Sequence, residues 1–115
     1  MKRGELFWAT LAPRSGSEQS GRRPVVVLSH NAFNEAPGWR SVIVVPISTS
    51  SAQARRGPTV VALPAGTAGL QADSVAICHQ ITTIDRAKLH DRIGPLPADI
   101  LLQVEKALLA ALDIC

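Results

Sequence analysis

Apolar residues fall in short runs broken by glycine, proline and small polar residues, until one longer stretch near the C-terminus changes period. Glu5 to Leu11 is short, aromatic and apolar, which predicts a first strand closed by a polar loop from Pro13 to Gly21. Pro24 to Ser29, rich in β-branched valine, predicts a second, central strand, and His30 to Gly38, with two asparagines, Pro37 and Gly38, a loop. Val42 to Ile47 is apolar on both parities, so it predicts a third strand buried on both faces. Ser48 to Pro58 is polar, basic and aperiodic, and reads as a second, mobile loop at the end of that strand, a position that often carries function. Thr59 to Leu63 predicts a fourth strand, Pro64 to Gly69 a turn, and Ser74 to Thr82 a fifth strand. From there Thr83-Ile84-Asp85 leads into a short helical turn, Arg86 to His90, with Asp85 as its N-cap. Beyond Gly94-Pro95, Pro97 opens a stretch with Ile100, Leu101, Val104, Leu108, Leu109 and Leu112 at three-and-four spacing. That spacing predicts an amphipathic helix of about four turns, docked on the sheet.

Five or more short strands closed by one terminal helix give a mainly β fold, a strongly bent antiparallel sheet or partly open barrel. With 115 residues the chain reads as one domain over 1–115, and an apolar fraction of 46% excludes a largely disordered chain. No apolar run reaches membrane-spanning length, and the basic start, Met1-Lys2-Arg3, is followed by no sustained apolar segment. The expectation is a soluble, cytoplasmic protein. Cys78 and Cys115 lack metal-type spacing and read as free thiols, with Cys78 in or near the core.

Charge changes the picture. Residues 1 to 57 carry eight basic and three acidic side chains, whereas the remainder carries four basic and six acidic ones. Positive charge therefore gathers in the half that holds a glycine-bracketed polar loop, Gly16-Ser17-Glu18-Gln19-Ser20-Gly21, leading into Arg22-Arg23-Pro24. A guanidinium presents a rigid fork of donors to phosphate oxygens, and Pro24 biases Arg23 towards extended backbone. The pairs Arg22-Arg23 and Arg55-Arg56, both placed in loops, are candidates for nucleic-acid contact, together with Ser17 and Gln19. Phe7 and Trp8 read as packing residues, because an aromatic content of 3% leaves little for a stacking surface. His30, His79 and His90 have no second ligand at metal spacing, and neither a nucleophile elbow nor a Walker loop occurs. Neither a metal nor a cofactor is expected.

Taken in order, Gly4-Glu5-Leu6-Phe7-Trp8, Pro13, Gly16-Ser17-Glu18-Gln19, Arg23-Pro24-Val25-Val26-Val27-Leu28-Ser29, Val44-Val45-Pro46-Ile47-Ser48, Asp73-Ser74-Val75 and Gln80-Ile81-Thr82-Thr83-Ile84-Asp85 resemble the MazF/PemK family of toxin endoribonucleases nearly end to end. The resemblance implies an SH3-like barrel that forms a homodimer, and a cognate antitoxin whose acidic tail competes with RNA for the basic groove. It implies a catalytic pair at Arg23 and Ser48, with Thr49 adjacent. The chain departs from the family twice: Ser48 stands where threonine is usual, and Thr82 where arginine usually follows Gln-Ile.

The residues suit metal-independent cleavage of single-stranded RNA. The ribose 2′-hydroxyl attacks its own phosphate, so the enzyme needs a base, donors for the phosphorane oxygens and a proton for the departing 5′-oxygen. Arg23 suits charge stabilisation, since a guanidinium does not readily give up its proton. Ser48 and Thr49 can donate hydroxyl hydrogen bonds, and Glu18 is the nearest conventional base. Gln80 can read a base edge where Thr82 removes a cation. Two other readings stay open: a non-catalytic nucleic-acid-binding module, and a toxin that poisons DNA gyrase on the same fold.

Overall fold

A computed structural model describes residues 1–11, 21–49 and 57–114 of the protein. Seven strands and two helices follow in order: β1 (Glu5–Leu11), β2 (Gly21–Val27), α1 (Asn31–Asn34), β3 (Ser41–Ser48), β4 (Val60–Leu63), β5 (Ser74–Ile77), β6 (Thr82–Asp85), β7 (Leu89–Pro95) and α2 (Ala98–Leu112). The strands form one antiparallel sheet in the order β4-β5-β3-β2-β1-β7, with β6 also paired to β3. It is an open, bent sheet carrying one C-terminal helix, the mainly β class expected.

Strand β3 organises this sheet because its two halves use different partners. Ser41 to Val44 pair with β6, Ile47 and Ser48 pair with β5, and Val44 to Pro46 pair with β2 on the other edge. Pro46 falls at the hand-over between β6 and β5, a place in a central strand where a missing N–H is tolerated. From Val44 to Ser48 both faces of β3 are buried, but in its first half only Val42 is and Ile43 is 39% exposed, so the expected burial on both faces holds for the second half alone. Val45 and Ile47 join Leu6, Val26, Leu63, Ala76 and Cys78 in the larger core cluster. Val42 and Val44 join Ala9, Leu11, Val25 and Val27 in the smaller one.

Helix α2 seals the larger cluster through Val104 and Ala107, with Ile100, Leu101 and Leu108 packed at its margin. Of the predicted inner positions Ile100, Leu101, Val104 and Leu108 are used, whereas Leu109 and Leu112 are exposed and Ala107 takes the inner place; Pro97 lies just before the first turn. Cys78 lies under the helix with its thiol 3.8 Å from the Val104 carbonyl, and burial pushes its pKa up to about 12. It is the small core residue that the sequence suggested.

Four expectations change. Strand β2 starts at Gly21, so Arg22 and Arg23 lie in a strand; pairing of Thr10 with Arg22 and Ala9 with Arg23 continues the ladder past the apolar run. The loop at 30–38 contains one helical turn, capped by His30 Nδ1, which accepts from Ala32 N–H at 2.9 Å. The single strand predicted over Ser74 to Thr82 is two, β5 and β6, broken by a 3-10 turn at Cys78–Gln80, and each pairs with its own half of β3. The helical turn expected from Arg86 to His90 closes at Lys88, and Leu89 onward is β7. Asp85 does cap that turn, accepting from Ala87 N–H at 2.8 Å. The register of β7 on β1 shifts twice, and most of its residues are exposed or half-buried, so no alternation marks it in the sequence.

Candidate active site

The β1–β2 ribbon and the C-terminal end of β3 enclose a pocket of about 430 Å³. Arg22, Arg23 and Pro24 line it from β2, Trp8 from β1, and Ile47 and Thr49 from β3 and the residue after it. Among the described residues, the rest of its lining is the segment Gly69–Ala72, with Ser74 and Ile93. That segment is held against β7 by two glycines. Gly69 takes φ +93, and at Gly94 a side chain would run into the Ala68 carbonyl, so the turn at 67–69 can lie directly on the strand.

Strand parity divides the polar residues. Trp8 is paired with Pro24, so Trp8, Pro24 and Arg22 share one face of the ribbon. Arg22 stacks there, its guanidinium carbon 4.1 Å from the Trp8 ring centroid, and reaches Asp91 of β7 at 3.7 Å. Both partners of that ion pair are well exposed, so it contributes little. The pairing of β2 with β3 ends at Val25 and Pro46; the same register continued past that last pair leads from Arg23 towards Ser48 and from Arg22 towards Thr49. Ser48 is only 3% exposed, whereas Thr49 is exposed. The half-buried Arg23 therefore lies beyond the last β2–β3 pair, at the end of the sheet that holds the buried Ser48 hydroxyl, and lines the open pocket.

The structure thus brings Arg22, Arg23, Ser48 and Thr49 together at one end of the sheet. It does not bring Gln80 and Thr82 into the pocket. Thr82 pairs with Val44, four residues and roughly 13 Å along β3 from Ser48, and Gln80 ends the 3-10 turn beyond it. Ser17, Glu18, Gln19, Arg55 and Arg56 lie outside the described residues, as does Cys115.

Trp8, assigned to packing from the sequence, is a pocket residue half-covered by Arg22. Placing β1 against β2 in register would have found it, since Trp8 and Arg22 become diagonal neighbours. Gln71, Asp91 and Ile93 carry no comparable signal, because the turn at 67–69 and β7 reach the site only through the fold. Among the described residues no three of His, Cys, Asp and Glu gather at metal-binding geometry, and no helix is long and apolar enough to cross a membrane. The three histidines serve elsewhere. His30 caps α1, while the His79 and His90 rings bond the hydroxyls of Thr59 at 2.7 Å and Thr10 at 2.8 Å.

Residues 2–112 match the family described as PemK-like, MazF-like toxin of type II toxin-antitoxin system. The chain is 38% identical over 114 residues to Endoribonuclease MazF6 of Mycobacterium tuberculosis, covering 99% of this chain and 98% of that protein. Its structure is similar to MazF from Deinococcus radiodurans, with a TM-score of 0.79, 30% identity and coverage of 98% and 96% of the two chains. It is also similar to a chain of the MazE-MazF structure from the same organism, at a TM-score of 0.75, 29% identity and coverage of 100% and 97%.

Proposed function

The chain belongs to the PemK-like, MazF-like toxins of type II toxin–antitoxin systems, and from that premise we propose that it is a sequence-specific, metal-independent endoribonuclease acting on single-stranded RNA in the cytoplasm. One observation carries the reading: two adjacent arginines, Arg22 and Arg23, line one open pocket with Thr49, next to the buried hydroxyl of Ser48. The relative Endoribonuclease MazF6 supports the activity.

In this reading the scissile phosphate lies on Arg23. The 2′-oxygen attacks phosphorus while Glu18, the one carboxylate between β1 and β2, takes the hydroxyl proton. Arg23 offers parallel N–H donors to the phosphorane oxygens, and the Ser48 hydroxyl donates a further hydrogen bond. The bond from phosphorus to the 5′-oxygen then breaks, and the departing oxygen takes a proton from water. The products are a 2′,3′-cyclic phosphate and a 5′-hydroxyl. Thr49, on the opposite parity, contacts the substrate from the pocket side. Arg55, Arg56, Ser17 and Gln19 extend the track, and Gln80 and Thr82 meet RNA farther along the sheet.

A homodimer and an antitoxin belong to the same proposal. Phe33, Trp39 and Ile43, and Leu102, Leu109 and Leu112 of α2, are exposed apolar side chains that partners would cover. The MazE-MazF structure supports an antitoxin partner. The test is incubation of purified protein with long single-stranded RNA in excess EDTA, followed by mapping of the ends. Cuts at one recurring short sequence, leaving 5′-hydroxyl ends, are expected. RNA that stays intact, with and without restored magnesium, would overturn the enzyme reading in favour of a binding module or a gyrase poison.

A further inference from the structure

The pocket holds more than a phosphate needs. Beside Arg23 stand a half-buried indole, a planar guanidinium stacked on it, and apolar walls from Ile47, Leu70 and Ile93. A volume of about 430 Å³ lies within the roughly 300–1,000 Å³ of small-molecule sites. Gln71 is exposed at the rim, and its side-chain amide makes no hydrogen bond among the described residues. Flat stacking surfaces with one uncommitted amide at the edge fit a flat aromatic ring that carries donors and acceptors on its perimeter.

We propose that Trp8, Arg22 and Gln71 form a nucleobase subsite that takes the base adjoining the phosphate held by Arg23. This rests on the ribonuclease reading and assigns one determinant of its specificity. Arg22 is the movable part. Its pairing with Asp91 is long and exposed, so the guanidinium can shift to sandwich the base or let it meet the indole at little cost. Stacking on an aromatic ring or an arginine plane holds any base, and the Gln71 amide, with two donors and one carbonyl acceptor, discriminates among base edges. Arg23 lines the pocket beside the apolar side chains of Ile47, Leu70 and Ile93 and the flat Trp8–Arg22 pair, an arrangement suited to a nucleotide, which offers one phosphate and one flat base, rather than to an acidic peptide, which has no use for a stacking slot.

The experiment uses the intact protein carrying Trp39→Phe, which leaves Trp8 as the sole fluorophore. Trp39 is stacked on Phe33 at 4.8 Å, donates to the Ser41 carbonyl, and does not line the pocket. The probes are single-stranded oligonucleotides spanning the mapped cleavage sequence, with 2′-deoxyribose at the cut and an abasic residue at each flanking position in turn. Quenching of Trp8 by the complete oligonucleotide is expected, with loss of quenching when one particular flanking base is removed. The matching RNA should be cut about ten- to a hundredfold more slowly. Gln71→Leu should lose the preference at that position, and Trp8→Ala should slow cutting of the complete RNA by about the same ten- to hundredfold as removal of the base. Equal quenching and cutting of complete and abasic probes would overturn the subsite. So would quenching by an acidic peptide and not by RNA, which would assign the slot to a protein partner. If no RNA is cut, the ribonuclease reading fails by itself, and base-dependent quenching by homopolymeric RNAs against an abasic strand still decides the subsite.

Discussion

Replacing Ser48 and Thr49 by alanine one at a time separates the two hydroxyls that adjoin in sequence but point to opposite faces of β3. Ser48 is buried, engaged in bonding, and on the register that continues towards Arg23 past the last β2–β3 pair; Thr49 is exposed and faces the pocket. Loss of one donor to the phosphorane costs about 100- to 1,000-fold in rate, or about 2.7–4 kcal/mol. Ser48→Ala should show that loss. It should also destabilise the fold by about 1–3 kcal/mol, because deleting a buried hydroxyl strands its partner. At about 4 °C per kcal/mol for a chain of this size, the melting temperature should fall by roughly 4–12 °C. Thr49→Ala should change stability by less than about 0.5 kcal/mol and slow cutting by less than about tenfold. Initial rates on a fluorogenic oligonucleotide, paired with thermal melts, give both readouts. A further variant, Ser48→Thr, restores the methyl that restricts the rotamer and should match or exceed the parent rate. If Thr49→Ala is the inactive protein and Ser48→Ala cuts within threefold of the parent, the register argument is wrong and Thr49 is the donor.

Three other outcomes are expected. Arg23→Ala should abolish growth arrest and RNA cutting with the fold retained, since the side chain is half-buried at the strand's polar end; Arg23→Lys should rescue only part, having lost the fork of donors, and full toxicity in Arg23→Ala would refute the role. The Cys78 thiol, with its pKa raised by burial to about 12, should resist thiol reagents in the native protein at pH 8 and react on unfolding. For the same reason the stability it supports is complete below an unfolded value near 9 and is lost as pH rises from there towards about 12, at no more than about 1.4 kcal/mol per pH unit, and Cys78→Ala should flatten that slope in alkaline denaturation curves. At the acid end, burial of the Glu5 carboxylate raises its pKa, but hydrogen bonds from the Arg92 side chain and Lys2 N–H more than reverse this, leaving it below 4.5. Stability from Glu5 is therefore present above about pH 4.5 and lost as pH falls through the lower folded value. Glu5→Gln should remove that part of the acid transition in urea melts run between pH 5 and 3.

Legibility followed the strength of local signals. Strand β1 was readable to its ends, and β3 from its double-parity valines, because burial on one or both faces imprints a period on the sequence. The helix was readable for the same reason, with Val104 and Ala107 on its inner side. Strand β7 was not. Its residues Leu89–Pro95 are mostly polar or exposed, and their strand character comes from pairing with β1 through a shifting register. The division of Ser74 to Thr82 into two strands was also hidden, since it shows only in the pairing of each with its own half of β3. At the site, Arg22 and Arg23 stood out by chemistry and by the proline that follows them. Trp8 was placed with the packing residues because aromatic side chains usually are, and nothing local tells an indole in a core from one roofed by an arginine.

The sequence alone therefore determined the mainly β class, the terminal helix, the basic half of the chain and the arginine and hydroxyl residues suited to phosphate chemistry, because each of these is a matter of composition, period or adjacency. Only the tertiary structure decided which of those residues meet. Pairing brought Arg22 and Arg23 to the end of the sheet where β3 finishes, with Ser48 sent into the protein and Thr49 to the pocket. Gln71 and Ile93, distant in sequence from both, joined them because glycines at 69 and 94 let a turn rest on β7. A strand's side chains alternate strictly, so a shift of one residue would exchange the two faces; register is fixed by long-range pairing that no local stretch of sequence contains.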